Sequence, residues 1–409
     1  MKNVAVMGYG TVGSGVVEIL LKNRGQIAEK NGEDIAVKYV LDLREFPDSP
    51  VADKIIHDFE VLVNDETVDI VVETMGGLNP SYPFVKRCLE AGKHVVTSNK
   101  ALVAAYGTEL LQIARERQVN FLFEASVGGG IPIIRPLYQS LAGEKIEEIT
   151  GILNGTTNYI LTKMGENGES FDAALKKAQE LGYAERNPEA DVEGYDTCRK
   201  IAILTAVSTG CEVNYEEIYT EGITGITDVD FRYAKKMGTS IKLFGSSRMQ
   251  QGKAFAWVAP VMIPPSHPLY AVSDVFNGIL VKGEALGVSM FYGSGAGKLP
   301  TASAVVADIV DAAKNSHKNV YGGWSSRKLE LSSMEEAEHR YFARIAGCEK
   351  DSIDSVKKEL GQTEVIKLEE ESGEYAILTD KMPEKEWNQK KDKLAADGVE
   401  ILQVIRAEV

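Results

Sequence analysis

Val4-Ala5-Val6-Met7-Gly8-Tyr9-Gly10-Thr11-Val12-Gly13 is the stretch that decides the fold. Four consecutive apolar residues read as a buried strand, and a GxGxxG follows within one residue and opens a helix from Val16 to Leu21. The first glycine allows the tight turn, the second lets backbone approach a pyrophosphate, and the third lets helix and strand pack closely. The helix N-terminus offers unsatisfied N–H groups to the anion. A GxGxxG alone is weak; the strand before it and the helix after it are what favour dinucleotide binding over a plain glycine-rich turn.

Working outward, apolar runs alternate with helical patterns. Ile35 to Leu41, Val68 to Glu73, His94 to Thr97 and Asn120 to Glu124 read as strands, with helices at Pro80 to Ala91 and Leu102 to Arg117. Near-continuous apolar strands between helices predict a parallel sheet covered on both faces, an α/β domain of Rossmann type over residues 1–130. Gly128-Gly129-Gly130 and Pro132 then break the pattern. Residues 131–299 read as an α+β second domain: a strand from Ile146 to Leu153, helices between Thr156 and Leu243, and strands at Ala254 to Ile263, Val275 to Lys282 and Ala285 to Tyr292. Residues 300–334 supply a helix, Pro300 to Lys314, and a polar linker. Residues 335–409 read as βαββαβ, the ferredoxin-like order.

Composition narrows the function. The 409 residues carry 45 Lys+Arg against 60 Asp+Glu, a formal charge of −15. Such a chain repels phosphate backbones and anionic bilayers, so neither nucleic acid nor membrane is expected as a partner. No apolar run reaches the roughly 20 residues of a membrane helix. Four cysteines without a CxxC suit a reducing, cytoplasmic setting.

Cofactor choice is expected just after the second strand. Asp42 suits a ribose 2′-OH and hence NAD; Arg44 suits a 2′-phosphate and hence NADP; both also fit as solvated loop charges. Thr74 and Thr97-Ser98-Asn99-Lys100 end parallel strands, where open α/β sheets hold ligands. The densest constellation runs from Ala178 through Gly182, Glu185, Asn187-Pro188, Asp191 and Gly194 to Asp196 and Lys200. Asp196 and Lys200 share a helix face. Carboxylates capture an ammonium, and a lysine can give a proton to a carbonyl oxygen. From spacing alone, a surface Asp–Lys pair beside a solvated acidic loop is the better reading.

This last stretch resembles the signature of the homoserine dehydrogenases at every defined position. Leu153-Asn154-Gly155-Thr156-Thr157-Asn158-Tyr159-Ile160-Leu161, Ser98-Asn99-Lys100-Ala101-Leu102, Glu124-Ala125-Ser126-Val127-Gly128-Gly129-Gly130-Ile131-Pro132 and Gly295-Ala296-Gly297 followed by Pro300-Thr301-Ala302-Ser303-Ala304 are similar to further motifs of that family, in family order. The resemblance implies interconversion of L-homoserine and L-aspartate 4-semialdehyde with NADP or NAD, in threonine, methionine and isoleucine biosynthesis. It implies Lys200 as proton donor and acceptor, with Lys100 touching cofactor and substrate. Glu185, Asp191, Asp196, Asn154, Gly155 and Thr156 would bind substrate. Gly8, Gly10, Thr11, Val12, Gly13, Arg44, Thr74, Ser98, Lys100 and Gly295 would bind the cofactor. Glu124 and the carbonyls of Val127, Gly129 and Ile131 would match the family's monovalent cation site, for Na+. The helix after Pro300 would fold back onto the nucleotide domain. A homodimer through the second domain, or a homotetramer, is implied as well.

The tail resembles the ACT module of many members, a βαββαβ unit linked to threonine feedback. The Pro-Gly turn usual after its first strand is replaced by Gly347-Cys348-Glu349-Lys350-Asp351. Two other functions compete. A semialdehyde dehydrogenase would need a nucleophilic cysteine, for which Cys88, Cys198, Cys211 and Cys348 show no context. A non-enzymatic amino-acid sensor would have no use for a proton-donating lysine.

Overall fold

The computed structural model describes residues 1–250, 253–321, 323–371 and 373–409. It divides into two compact units, residues 1–146, 202–215 and 291–329 in the first, and residues 147–201, 216–290 and 330–409 in the second. No described helix is long and apolar enough to cross a membrane.

The first unit is built on a six-stranded parallel sheet in the order Ile55–Ile56, Ile35–Leu41, Lys2–Met7, Ile70–Glu73, His94–Thr97 and Phe121–Leu122. The order reverses direction between Lys2–Met7 and Ile70–Glu73, and that is where a crevice opens at the carboxyl ends of a doubly wound sheet. Val4, Ala5, Val6 and Met7 are fully buried, as continuous apolar strands require. Lys298–Lys314 packs on Thr11–Lys22: a side chain at Gly15 would bring its Cβ within 3.0 Å of the Ala302 Cβ. The segment after Asn23, to which the sequence reading gave no element, forms the helix Arg24–Asn31, which buries no residue and ends on Gly32 at φ +83°.

The second unit centres on a mainly antiparallel sheet. Its main path runs Gly287–Ser294, Phe276–Gly283, Ile146–Ile152, Ser240–Gln250, Lys253–Ile263, Ile401–Ala407, Glu338–Ala346, Glu374–Leu378 and Glu364–Ile366. Ser240–Gln250 corrects the sequence reading, which carried helices as far as Leu243. Lys242, Gly245, Ser246, Ser247 and Arg248 interrupt its apolar pattern, yet residues Ile241 to Ser247 are all buried. The tail contributes strand, helix, two strands, the two-residue strand Met382–Pro383, helix and strand, with helices Glu349–Leu360 and Glu384–Ala396. Tyr341, Ile345, Val356, Leu360, Tyr375, Ile377, Trp387 and Leu394 form one core beneath them. The tail does not close on itself. Ile401–Ala407 also pairs in parallel with Lys253–Ile263, setting Arg406 beside Val261 and Ala407 beside Met262. Arg344 reaches from the tail to Asp230 at 2.9 Å on the helix Asp228–Lys236 and to Glu374 at 2.7 Å.

The polar stretch expected to be a linker is partly ordered. Ser325–Lys328 pairs with Cys211–Glu212 in the first unit, and Met334–Glu336 makes a single turn in the second.

Candidate functional site

In the first unit the glycine loop is tied to two strand ends. The Gly8 N–H donates to the Leu41 carbonyl at 2.8 Å, and the Thr74 hydroxyl donates to the Gly8 carbonyl at 2.9 Å. Gly8 adopts φ +92°. A Cβ at Gly13 would collide with the Gly8 carbonyl oxygen and lie 2.8 Å from the Thr74 hydroxyl, whereas one at Gly10 would meet nothing within 4 Å. That difference separates the packing glycine from the one that leaves room for a ligand. Gly13→Ala is therefore expected to distort the loop, lowering stability by about 1–3 kcal/mol and weakening nicotinamide dinucleotide binding. Thermal unfolding and a fluorescence titration with reduced cofactor measure the two effects; parent-like values for both would refute the role.

Asp42 follows the second strand. Its carboxylate accepts the Tyr9 N–H at 2.8 Å and the Arg44 N–H, Nε and Nη2, each at 3.0 Å. The Arg44 guanidinium, helped by the two backbone donors, pulls its pKa down to about 2. A cavity of about 490 Å³ opens here, lined by Gly8, Gly10, Asp42, Arg44, His57, Phe59, Thr74 and Met75 among others. His57, which sequence reading passed over, bonds the Asp42 carbonyl at 2.6 Å and Glu45 at 2.7 Å.

Lys100 is the first residue of the helix Lys100–Glu116, whose N-cap Asn99 accepts the Leu102 N–H at 3.1 Å and donates to the Gly77 carbonyl at 2.6 Å. Ser98 donates its N–H to the Glu73 carbonyl at 3.4 Å. Glu73 was also missed, although an acidic residue closing an apolar strand is a visible signal. It is fully buried and accepts from the Met75 N–H, the Ser81 hydroxyl and, at 2.6 Å, the Thr97 hydroxyl. It thereby locks two strand ends together. Gly295 lies against Gly129, where an added Cβ would collide with the Gly295 carbonyl.

Glu124 is buried. Its carboxylate accepts the N–H groups of Ile133 at 2.6 Å, Ile134 at 2.8 Å and Arg135 at 2.7 Å, and so caps the turn that follows the glycine bend. The Val127, Gly129 and Ile131 carbonyls accept no backbone hydrogen bond among the described residues.

In the second unit, Asn154 caps the helix Gly155–Asn167. Its Oδ1 accepts the Thr157 N–H at 2.8 Å, which turns its amide nitrogen toward two carboxylates: Asp191 at 2.7 Å and Asp196 at 2.8 Å. Gly194, at φ +83°, bends the chain into the helix Tyr195–Thr209, on which Asp196 and Lys200 stand one turn apart. The Lys200 ammonium lies 2.7 Å from Asp196 and donates to the Leu153 carbonyl at 2.7 Å. Lys200 is 8% exposed and Asp196 2%, so this is not the solvated surface pair that spacing alone favoured. Asn154, Asp191, Asp196 and Lys200 thus form one hydrogen-bonded set. The Thr156 hydroxyl ties the same helix to the Tyr183 carbonyl at 2.6 Å. Glu185 stands exposed on the loop between, its carbonyl accepting Gln179 at 3.1 Å. A buried ammonium within reach of an acceptor carbonyl, flanked by paired carboxylates, is equipped to hold a second ammonium and to move a proton at a nearby oxygen. Cysteine chemistry finds no such support: burial pushes the Cys88 thiol up to about 12 and raises Cys198 as well.

Comparison with known proteins agrees with this arrangement. Residues 132–310 match the family described as homoserine dehydrogenase, and residues 8–124 match its NAD-binding domain. The homoserine dehydrogenase of Bacillus subtilis (strain 168) is 41% identical over 322 residues, covering 78% of this chain and 74% of that protein. The crystal structure of a homoserine dehydrogenase from Thiobacillus denitrificans superposes with a TM-score of 0.91 at 35% identity, over 100% of this chain and 98% of the other. A hyperthermophilic archaeal homoserine dehydrogenase in complex with NADPH superposes with a TM-score of 0.65 at 30% identity, over 76% of this chain and 98% of its own. Two matched domains, the extent of these relationships and the buried Asp–Lys constellation together make the chain a member of the homoserine dehydrogenase family, an oxidoreductase with an NAD-binding domain.

Proposed function

We propose that the protein interconverts L-homoserine and L-aspartate 4-semialdehyde, with Lys200 handling the proton at the substrate oxygen. The observation that carries this is the buried Asn154–Asp191–Asp196–Lys200 set. The nicotinamide cofactor supplies or accepts the hydride when bound. Lys200 donates to the aldehyde oxygen as charge develops there, and takes the proton back in the reverse direction. Asp196 orients the ammonium of Lys200. Asp191 and Glu185 hold the substrate ammonium, and Asn154, Gly155 and Thr156 line the pocket from a helix N-terminus, which favours a carboxylate. Lys100 contacts cofactor and substrate. The test is a steady-state assay with aspartate semialdehyde and NADH or NADPH side by side, followed by nicotinamide absorbance; no turnover with either would end this reading.

Gly8, Gly10, Thr11, Val12 and Gly13 hold the pyrophosphate, with Thr74, Ser98 and Gly295 at the cofactor's edge. Arg44 decides between cofactors. Its guanidinium donates to Asp42; turning toward a 2′-phosphate exchanges that bond for another charge-assisted one. Arg44→Ala is expected to raise the KM for NADPH by about tenfold or more and that for NADH much less. Equal effects on both would refute the assignment.

Glu124 and the carbonyls of Val127, Gly129 and Ile131 are hard oxygen donors of the kind a monovalent cation such as Na+ accepts. They would hold it beside the glycine bend and stiffen that bend. The tail is read as an ACT-type domain over 335–409, following 131–299 and the return helix and linker of 300–334. Its helix Glu349–Leu360 starts at Cys348 with no side-chain cap and without the Pro-Gly turn. We expect little or no inhibition by L-threonine, and an inhibition constant well below millimolar would contradict that. Leu286, Val288 and Met290 are 47%, 58% and 41% exposed at a sheet edge, which supports assembly into a homodimer or homotetramer through the second domain. Four cysteines with no disulfide among the described residues support a cytoplasmic location.

A further inference from the structure

Asp191, expected on a loop, stands on the short helix Glu189–Val192, and that helix and the turn after it are seated on a short segment, Glu221 to Gly225. The Ile223 N–H donates to the Val192 carbonyl at 2.8 Å. A side chain at Gly222 would collide with that carbonyl and come within 2.6 Å of the Glu193 Cα, so the two backbones touch. Gly194 likewise lies against Thr220 and Glu221. The same segment is held by the strand Ile401–Ala407. Arg406 donates to Glu221 at 2.6 Å, and Gln403 donates to the Gly225 carbonyl at 2.5 Å. Arg406 is buried, bonded also to Glu384 at 3.1 and 2.5 Å, and lies over the Tyr219 ring at 4.9 Å. The Glu221 N–H is fixed to the Val258 carbonyl at 2.8 Å.

We propose that Arg406 and Gln403 are positioning residues for the substrate site, acting through Glu221–Gly225 on the helix Glu189–Val192 and the turn Glu193–Gly194 that follows it. They set the height at which Asp191 meets Asn154, and with it the entry into the helix bearing Asp196 and Lys200. The inference rests on the reading of Asp191 as a substrate ligand. The bond from Asn154 to Asp191 is 2.7 Å long, so a shift of one ångström breaks it. Displacements of that size cost up to about 10²-fold in rate or affinity. The tail is thereby a buttress of the substrate site, whatever it does or does not bind.

The experiment uses the full chain and three variants: Gln403→Ala, Arg406→Met and Asp191→Asn. Gln403→Ala and Arg406→Met are expected to raise the KM for homoserine about tenfold. The KM for the dinucleotide stays within about twofold, a split that general loss of stability would not produce. Gln403 is only partly buried, so Gln403→Ala decides the matter even where Arg406→Met does not fold. If Asp191→Asn raises the homoserine KM while Gln403→Ala leaves it at the parent value, the positioning role is overturned and the substrate site stands. If Asp191→Asn itself leaves that KM unchanged, the substrate reading fails first and the inference with it.

Discussion

Lys200→Ala is expected to lower kcat by about 10²–10⁴-fold, the usual worth of a positioned general acid. Hydride arriving at an aldehyde carbon leaves charge on the oxygen, and Lys200→Ala removes the donor assigned to neutralise it. The same change takes the cation from Asp196, which is 2% exposed and keeps the Asn154 amide, and losing one partner of a buried pair typically costs about 3–5 kcal/mol of stability. The two effects are separable. Lys200→Gln keeps a donor for Asp196 and for the Leu153 carbonyl but cannot pass a proton on. It should fall in kcat as Lys200→Ala does while unfolding closer to the parent temperature. Glu185→Ala should act mostly on the homoserine KM, because an ammonium is held equally in ground and transition states. A kcat for Lys200→Ala within a few-fold of the parent would remove the lysine from the mechanism.

Acid is expected to destabilise the second unit through His339. The imidazole is 8% exposed, its Nε2 has no hydrogen-bond partner among the described residues, and the ring meets Trp257 edge-on at 5.5 Å. Burial, reinforced by the charges of Arg406, Arg248 and Lys381, pushes its pKa down to about 3. The unfolded chain binds that proton near pH 6.5 and the folded chain does not. The stability tied to the neutral ring is therefore complete above about pH 6.5 and is lost progressively as pH falls toward 3, with about 2 kcal/mol gone by pH 5. Replacing His339 by Phe keeps an aromatic edge and removes the titration. Urea midpoints at pH 7 and pH 5 should differ less in His339→Phe than in the parent; equal losses would refute the assignment.

The nucleotide-binding half was legible because its strands are continuous apolar runs and its glycines recur at fixed offsets. Ser240–Gln250 was not, because burial there includes a lysine. Lys242 is taken inside by a 2.7 Å bond to the Val272 carbonyl, and burial lowers its pKa to about 8. Periodicity cannot announce a cation satisfied by a distant backbone oxygen. Arg24–Asn31 was missed for the opposite reason: with no buried face, it carries no amphipathic stripe. At the substrate site, the Asp196–Lys200 spacing was visible but its burial was not. The residue that organises it, Asn154, lies 37 and 42 positions from the carboxylates it bridges, beyond any local pattern.

Ile401–Ala407 is the last of the described strands in chain order, yet it sits inside the large sheet, bonded to Lys253–Ile263 on one side and Glu338–Ala346 on the other. While the chain is being made, both neighbours emerge from the ribosome with an edge still open. Open edges template pairing with other chains, and such long-range closures are slow to form. A nascent chain halted before Ile401 would expose both edges at once. Codon choice, chaperone capture and premature termination between the codons of Ala346 and Ile401 should therefore weigh more on the yield of this enzyme than equal disturbances upstream.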